Sequence, residues 1–154
     1  LAADTPREQA RFAAAAQCGC DDVFEIGKHD SEGEIKRKFP KGVDRVIVSA
    51  PPESMLDALK VIRFGGIITF YGRHFGDRST VEIDINDLVF RKISLIPTFA
   101  EPAITFPVSN RLLRDGLVDA ATIITHQFPY ENTRDVMQSI IDGSEPIVKA
   151  VMVQ

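Results

Sequence analysis

The chain has 154 residues and a formal net charge of −4, and this length is enough for one ordinary domain with a sizeable core. Its longest cluster of basic residues is Lys36–Lys38, so nothing indicates a nucleic-acid partner. No apolar run reaches the roughly 18 residues of a membrane helix, and no signal peptide pattern opens the chain. We therefore expect a cytoplasmic protein that binds neither nucleic acid nor membrane.

The first predicted elements are the end of a strand and a helix. Residues 1–3 are apolar and lead into Asp4, as at the end of a strand. Thr5-Pro6 is typical of an N-cap followed by the first helical residue. A helix is therefore predicted over residues 6–18, and Gly19 should end it.

A second strand and a short helix follow. Residues 22–26 are mostly apolar and predict the strand. Ser31 stands three residues before Glu34, which is the spacing of a capping box at the start of a helix. This helix should stop before Pro40.

The central stretch, residues 43–72, predicts a strand, a helix and a second strand. Val46–Val48 is an apolar run, the residues from Met55 to Ile62 have helical spacing, and Ile67–Phe70 is apolar again after a turn at Gly65-Gly66. Apolar strands without polar alternation suit a parallel sheet that is covered on both faces. The fold class should therefore be α/β with an open parallel sheet.

Ligands of such sheets bind outside the carboxyl ends of the strands. The candidate site of this chain is therefore formed by the residues that follow the two central strands. They are Ser49, Ala50 and Pro51 after the first strand, and Tyr71, Gly72 and Arg73 after the second. Small side chains at residues 49–51 would let an adenine or ribose approach the backbone, although an ordinary strand-to-helix turn explains them as well.

The elements after residue 72 alternate less regularly. Residues 80–85 alternate apolar and polar side chains and predict a half-exposed strand, followed by a short helix over 86–92. The next strand, 93–99, contains Pro97, so it should lie at a sheet edge or end near that residue. The last predicted elements are helices over 106–115 and 131–141, the apolar pair Ile123-Ile124 between them, and a strand over 147–153.

Asp4 is the residue with the most specific chemistry. An acid at the end of a strand accepts hydrogen bonds from both hydroxyls of an adenosine ribose and repels a 2′-phosphate. Asp4 therefore favours NAD over NADP, unless it only caps the following helix. Arg7 would reverse that preference if it reached a 2′-phosphate.

Metal and hydrolase chemistry have no support in the residues. The three histidines share no metal-ligand spacing, and no G-x-S-x-G motif is present. No catalytic or metal-binding residue is assigned within this chain. Cys18 and Cys20 are too few for a disulfide scaffold, so we expect free thiols.

The order of these motifs resembles the second half of a medium-chain alcohol or polyol dehydrogenase of the zinc-dependent, sorbitol or threonine dehydrogenase-like branch. The resemblance covers nearly the whole chain. It is carried by the acid-ended strand at Asp4, the turn at 19–22, the strand entry at 42–47, Gly65-Gly66, the segment Ile124–Pro129, Asp142-Gly143 and residues 149–152.

The resemblance implies a doubly wound, Rossmann-like domain that lacks its first strand and its Gly-rich turn. In that family the zinc ligands, the substrate pocket and the Gly-rich turn would precede Leu1, so we expect the chain to begin partway along a longer enzyme and to be inactive alone. Residues 1–122 would be a partial dinucleotide-binding domain. Residues 123–154 would be a segment that returns to the catalytic domain.

The resemblance also assigns roles to individual residues. Arg11 would lie near the adenosine ribose, and Lys149 on the last strand would reach the phosphates of the cofactor. Both are equally explained as exposed surface cations. The backbone of Tyr71, Gly72 and Arg73, with that of Thr98 and Phe99, would hold the nicotinamide carboxamide.

The implied function is hydride transfer between an alcohol or polyol and NAD, with zinc supplied by the part of the enzyme outside this chain. The strand at 93–99 would pair with its copy to form a homodimer or tetramer. Two alternatives stay open, a zinc-free quinone reductase and a non-catalytic nucleotide-sensing module. The sequence upstream of Leu1 would separate them.

Overall fold

A computed structural model describes residues 2–4, 9–25, 30–74 and 79–154, with the backbone alone for 2–4 and 25. The strands are β1 (Ala2–Asp4), β2 (Val23–Glu25), β3 (Val43–Val48), β4 (Ile62–Phe70), β5 (Ser94–Pro97), β6 (His126–Pro129) and β7 (Ala150–Val153). The helices are α1 (Gln9–Gln17), α2 (Ser31–Lys38), α3 (Ser54–Val61), α4 (Ile85–Arg91), α5 (Pro102–Arg114), α6 (Ala120–Ile123) and α7 (Thr133–Asp142). None of the helices in these ranges has the length and apolar character to cross a membrane.

The chain forms two compact units. One comprises residues 30–101, and the other comprises 1–29 together with 102–154. The first contains a three-stranded parallel sheet in the order β3-β4-β5. The second contains two parallel pairs, β1 with β2 and β6 with β7.

The sheet of the first unit confirms the predicted strand, helix and strand. Val46 pairs with Ile68, and Ile68 pairs with Leu95. Both ladders are parallel, so all three strands run in the same direction. Pro97 is the last residue of β5, and β5 lies at the edge of this sheet, as its proline predicts.

Helix α3 packs against one face of the sheet. Met55 and Ala58 of the helix form the core with Val48, Ile62 and Ile68, and Ile68 is fully buried. The expectation that both faces are covered is wrong for β3. Successive side chains of a strand point to opposite faces, and Ile47, next to the buried Val48, is 71% exposed.

The glycine pair in the centre was wrongly predicted to form a turn before the strand. β4 already begins at Ile62, and the pairing passes from Val43↔Ile62 to Arg45↔Ile67. β3 advances by two residues over this interval and β4 by five, so β4 contains three extra residues. They are absorbed in a bulge where Gly65 has φ +69° and Gly66 lies against the side chain of Ile62. Glycine suits a bulge because it lacks Cβ.

Residues 80–85 do not form a strand. Val81 and Ile83 are half-buried, and Glu82 and Asp84 are exposed, so the alternation is present without a ladder partner. Ile83 packs against the core beside the sheet. Asp84 accepts a hydrogen bond from the amide of Asn86 at 2.8 Å and begins α4 as its N-cap. An alternating pattern predicts which side chains are buried, but it does not predict whether the backbone forms hydrogen bonds with a neighbouring strand.

The helix ends follow local chemistry, with one correction. The N-cap of α2 is Asp30 rather than Ser31, because the Asp30 carboxylate accepts a hydrogen bond from the amide of Gly33 at 2.9 Å. Gly19 ends α1 with φ +91°, as predicted. The predicted helix start at Thr5-Pro6 lies outside the described residues.

Several helices and strands of the second unit begin at residues different from those predicted from the sequence. α5 starts at Pro102 instead of residue 106, since proline is accepted in a first helical turn, and it also contains Pro107 in its interior. The predicted helix 131–141 is α7, preceded by a 3-10 turn over Tyr130–Asn132. β7 begins at Ala150, three residues later than predicted, so Lys149 precedes the strand instead of lying on it.

Candidate functional site

Eight of the predicted site residues follow the three parallel strands of the first unit. β3, β4 and β5 end level with one another, because Val48 pairs with Phe70 and Phe70 pairs with Pro97. The structure therefore brings together, at one edge, Ser49, Ala50, Pro51, Tyr71, Gly72, Arg73, Thr98 and Phe99. We call this group the carboxyl edge.

Backbone hydrogen bonds hold the carboxyl edge together. The amides of Tyr71 and Gly72 both donate to the carbonyl of Val48, at 3.1 and 3.4 Å, and the amide of Thr98 donates to Phe70 at 2.9 Å. Each strand end is thus tied to its neighbour. These three amides are already engaged, so the carbonyl oxygens are the backbone groups of Tyr71, Gly72 and Thr98 that remain to meet a ligand.

Gly72 lies directly against the backbone of the neighbouring strand end. A Cβ atom at this position would stand 1.7 Å from the carbonyl oxygen of Ala50. No side chain fits in that space, so the sequence needs glycine here because of close backbone approach and not because of a positive φ. The packing of this edge therefore requires glycine at position 72.

Two aromatic side chains and one cation lie on the outer part of the carboxyl edge. The Arg73 guanidinium stands 4.8 Å from the centre of the Phe99 ring, a cation–π contact. Phe99 is 67% exposed and Tyr71 52% exposed. A pocket of about 330 Å³ opens beside this group, and its lining includes Val48, Met55, Phe70, Gly72, Arg73 and Leu95.

The other three predicted site residues belong to the second unit. Asp4 is the last residue of β1, which confirms the acid-ended strand, and its side chain lies outside the described residues. Arg11 is an exposed residue of α1. Lys149 is exposed, and in the described part of the chain its ammonium makes no ion pair.

The opposite edge of the sheet carries a cluster of basic residues that the sequence analysis missed. Arg91 donates to the carbonyls of Leu59 and Ile62, at 3.0 and 2.6 Å, where α3 ends and β4 begins. A side-chain hydrogen bond to Asp57 raises the pKa of Lys60. Cations stabilise the carbonyl end of a helix; Arg91 binds the last carbonyls of α3 directly, and Lys60 lies in its last turn. Basic residues in the last turn of a predicted helix are the signal that would have found them.

Thr125 is a second residue that the sequence analysis did not single out. Its hydroxyl contacts the backbone of Val148 and Lys149 and the imidazole of His126. It joins the start of β6 to the start of β7. No short motif marks such a contact, because Val148 and Lys149 are more than 20 residues away along the chain.

Among the side chains that the structure describes, no group of three His, Cys, Asp or Glu residues is placed to hold a metal ion. The residues in view therefore do not fit a zinc site. The thiols of Cys18 and Cys20 are free, as expected.

A parallel sheet with crossover helices and a ligand-sized space at its carboxyl edge defines a nucleotide-binding α/β fold of the doubly wound, Rossmann-like class. The family model described as zinc-binding dehydrogenase matches residues 3–113. The chain belongs to this family, which confirms the resemblance stated from the motifs.

Individual relatives give the same picture. The chain is 25% identical over 150 residues to sorbitol dehydrogenase of Bacillus subtilis strain 168, covering 96% of this chain and 42% of that protein. Alcohol dehydrogenase TADH from Thermus sp. ATN1 superposes with a TM-score of 0.83 at 17% identity, covering 100% of this chain and 43% of the other. A short chain alcohol dehydrogenase of E. coli CFT073, solved with NADH, gives a TM-score of 0.82 at 21% identity and covers 99% and 43%. The solved structures at these identities show the shared fold alone.

Proposed function

We propose that this chain is the cofactor-binding part of an NAD-dependent alcohol or polyol dehydrogenase. The chain spans about 42% of the length of the sorbitol dehydrogenase that it matches, so the proposal concerns a larger protein. The observation that carries it is the carboxyl edge, where three parallel strands end together and Gly72 packs directly against the backbone of Ala50. Membership of the zinc-binding dehydrogenase family supports the reaction class.

The carboxyl edge would position the nicotinamide ring. The carboxamide NH₂ donates two hydrogen bonds, and the carbonyl oxygens at Tyr71, Gly72 and Thr98 are suited to accept them because the amides of these residues are engaged. The exposed Phe99 offers an apolar surface beside the ring. The cofactor would supply the hydride-accepting group at this edge, and the small residues Ser49, Ala50 and Pro51 would leave room for its adenosine half.

NAD is proposed over NADP because of Asp4. As the last residue of β1, it stands where an acid binds ribose hydroxyls and repels a 2′-phosphate. The similarity to a structure solved with NADH agrees with this choice. Arg11 and Lys149 are proposed to contact the adenosine ribose and the cofactor phosphates, respectively.

The domain division and the metal are also proposals. We assign residues 1–122 to the dinucleotide-binding domain and 123–154 to a segment of the catalytic domain. The zinc expected from the resemblance would be held by residues outside this chain. The two free thiols agree with a reducing, cytoplasmic location.

The strand β5 is proposed to form the subunit interface. Within the three-stranded sheet it pairs with β4 alone, and Ile96 on it is 46% exposed. An edge strand with an exposed apolar residue favours pairing with a copy across a two-fold axis. A monomer in sedimentation equilibrium of the full-length protein would contradict this arrangement.

The test uses the full-length protein in calorimetric titrations with NADH and NADPH. NADH should bind more tightly, and Asp4→Gly should narrow the difference, with Asp21→Gly as the matched control in a nearby turn. Tighter binding of NADPH by the unaltered protein would refute the role of Asp4. Oxidation of a polyol with formation of NADH, together with zinc in a metal assay, would support the dehydrogenase. Quinone reduction without zinc would favour the quinone reductase. Cofactor binding without turnover would favour the nucleotide-sensing module.

A further inference from the structure

The side-chain hydroxyl of Thr125 connects four neighbouring groups in the second unit. It accepts hydrogen bonds from the amide of Val148 at 3.1 Å and from the amide of Lys149 at 3.4 Å. It also lies within hydrogen-bond distance of the carbonyl oxygen of Lys149, at 3.3 Å, and of Nδ1 of His126, at 2.8 Å. One hydroxyl therefore contacts both the N–H and the C=O of Lys149.

The imidazole of His126 is itself held from the other side. Its Nε2 lies 3.3 Å from a carboxylate oxygen of Glu145, and this contact fixes the direction of the ring. The ring in turn restricts the rotation of the Thr125 hydroxyl through Nδ1. Three consecutive side-chain contacts thus run from Glu145 to the backbone of Lys149.

Lys149 itself has a fixed backbone and an exposed side chain. Besides the hydroxyl contacts, its carbonyl accepts the amides of Thr125 and His126 at 3.1 and 3.2 Å, so β6 and β7 are joined at this residue. In the part of the chain that the structure describes, the Lys149 ammonium has no carboxylate partner. A cation with an immobilised backbone and no ion pair is suited to meet an anion from outside.

We propose that Thr125 is a positioning residue for Lys149, which it holds so that the ammonium meets the pyrophosphate of the dinucleotide. This inference rests on the proposed function. Fixing the backbone before binding lowers the ordering cost that the cofactor must otherwise overcome. Because a lysine side chain keeps its own rotamer freedom, the position of its Cα determines which anions the ammonium can reach.

The experiment is a double-mutant cycle on the full-length protein, with the dissociation constant for NADH measured by calorimetric titration. Lys149→Met should raise this constant by about 10-fold, the size of one charge-assisted hydrogen bond. Thr125→Val, which removes the hydroxyl at nearly constant volume, should raise it by about 3- to 10-fold. Thr125→Ser keeps the hydroxyl and should stay within about 2-fold of the unaltered protein. In the Lys149→Met background, Thr125→Val should add less than about 2-fold, because two changes in one contact chain are not additive.

The outcomes separate this inference from the function on which it rests. If Lys149→Met weakens NADH binding but Thr125→Val does not, or if Thr125→Val has the same effect in both backgrounds, Thr125 does not act through Lys149 and the inference is overturned. If Lys149→Met leaves the dissociation constant for NADH unchanged, both the inference and the cofactor role of Lys149 are refuted. If the unaltered protein does not bind NADH, the proposed function itself fails.

A second variant covers the case in which Thr125→Val does not fold. His126→Phe leaves the Thr125 hydroxyl in place and removes its imidazole partner. It should weaken NADH binding in the unaltered background and have no further effect beside Lys149→Met. An equal effect in both backgrounds would contradict the proposal, and circular dichroism of each variant verifies that it is folded.

Discussion

Replacing Gly72 by alanine tests the geometry of the carboxyl edge more directly than any other single change. The new Cβ would stand 1.7 Å from the carbonyl oxygen of Ala50, less than half of a normal carbon–oxygen contact. The Ala50 oxygen is a backbone atom and the new Cβ is bonded directly to the backbone, so no side-chain rotation can relieve the clash. The two strand ends must therefore separate.

The cost of this separation follows from the contacts at the same place. The amides of Tyr71 and Gly72 both donate to Val48, and losing each hydrogen bond costs about 0.5–1.5 kcal/mol. Forcing an extra methyl group into packed structure costs about 1–3 kcal/mol more. We expect Gly72→Ala to lower the free energy of unfolding by about 2–6 kcal/mol and to weaken NADH binding.

Gly143→Ala is the matched control. Gly143 ends α7 with φ +62°, and a Cβ there would meet nothing within 4 Å, so the substitution carries the left-handed backbone cost of about 1–2 kcal/mol and no clash. Urea unfolding followed by circular dichroism measures both variants, and calorimetry measures their NADH affinity. If Gly72→Ala is no more destabilising than Gly143→Ala, the close contact with Ala50 does not exist as described.

Two further changes test other parts of the molecule. Arg91→Met removes two charge-assisted hydrogen bonds to the carbonyls of Leu59 and Ile62, and it should lower the free energy of unfolding in urea by about 2–4 kcal/mol. Arg91→Lys should recover less than half of that lost stability. A decrease below about 1 kcal/mol for Arg91→Met would argue against these hydrogen bonds. The hydrogen bond from the Thr122 hydroxyl, followed by that from its amide, lowers the pKa of Asp119 below its ordinary value of 3.8. A lowered folded pKa stabilises the protein above 3.8, and this contribution is lost as pH falls through the folded value. Near neutral pH, Asp119→Ala should therefore unfold at a lower urea concentration than the unaltered protein. This difference in urea midpoint should shrink below pH 3.8. A midpoint difference that does not change with pH would refute the role of the Asp119 carboxylate.

The central fold was predictable because its signals are local and strong. Val46–Val48 and Ile67–Phe70 are apolar runs separated by one helix, and such units form parallel neighbours. Once the strands were parallel, the meeting of Ser49 and Tyr71 at one edge followed from topology alone. This part of the candidate site was therefore accessible from the sequence.

Backbone pairing was less accessible. Residues 80–85 alternate like a strand, yet they have no partner strand: Val81 is half-buried, and Ile83 packs against the core of the first unit. The glycine pair was assigned to a turn because glycine favours turns and bulges alike. Which of the two forms depends on how the neighbouring strand pairs, and no local pattern contains that information.

Long-range polar contacts were not predictable at all. Thr125 and Lys149 are 24 residues apart, and neither shows a motif for the other. Arg91 reaches carbonyls about 30 residues earlier in the chain. Such contacts are set when helices and strands have already packed, so the sequence reveals the residues without revealing the pairs.

The glycine bulge in β4 has a consequence for how the sheet assembles. Gly66 fits against Ile62 only because it has no side chain, and no other residue between Arg63 and Phe70 shares that property apart from its neighbour Gly65. If β4 slid by one residue along β3, a residue with a Cβ would enter the bulge and the apolar side chains would exchange faces. The bulge thus fixes the register of β4 against β3, and it keeps the carboxyl edge at the same position each time the protein folds.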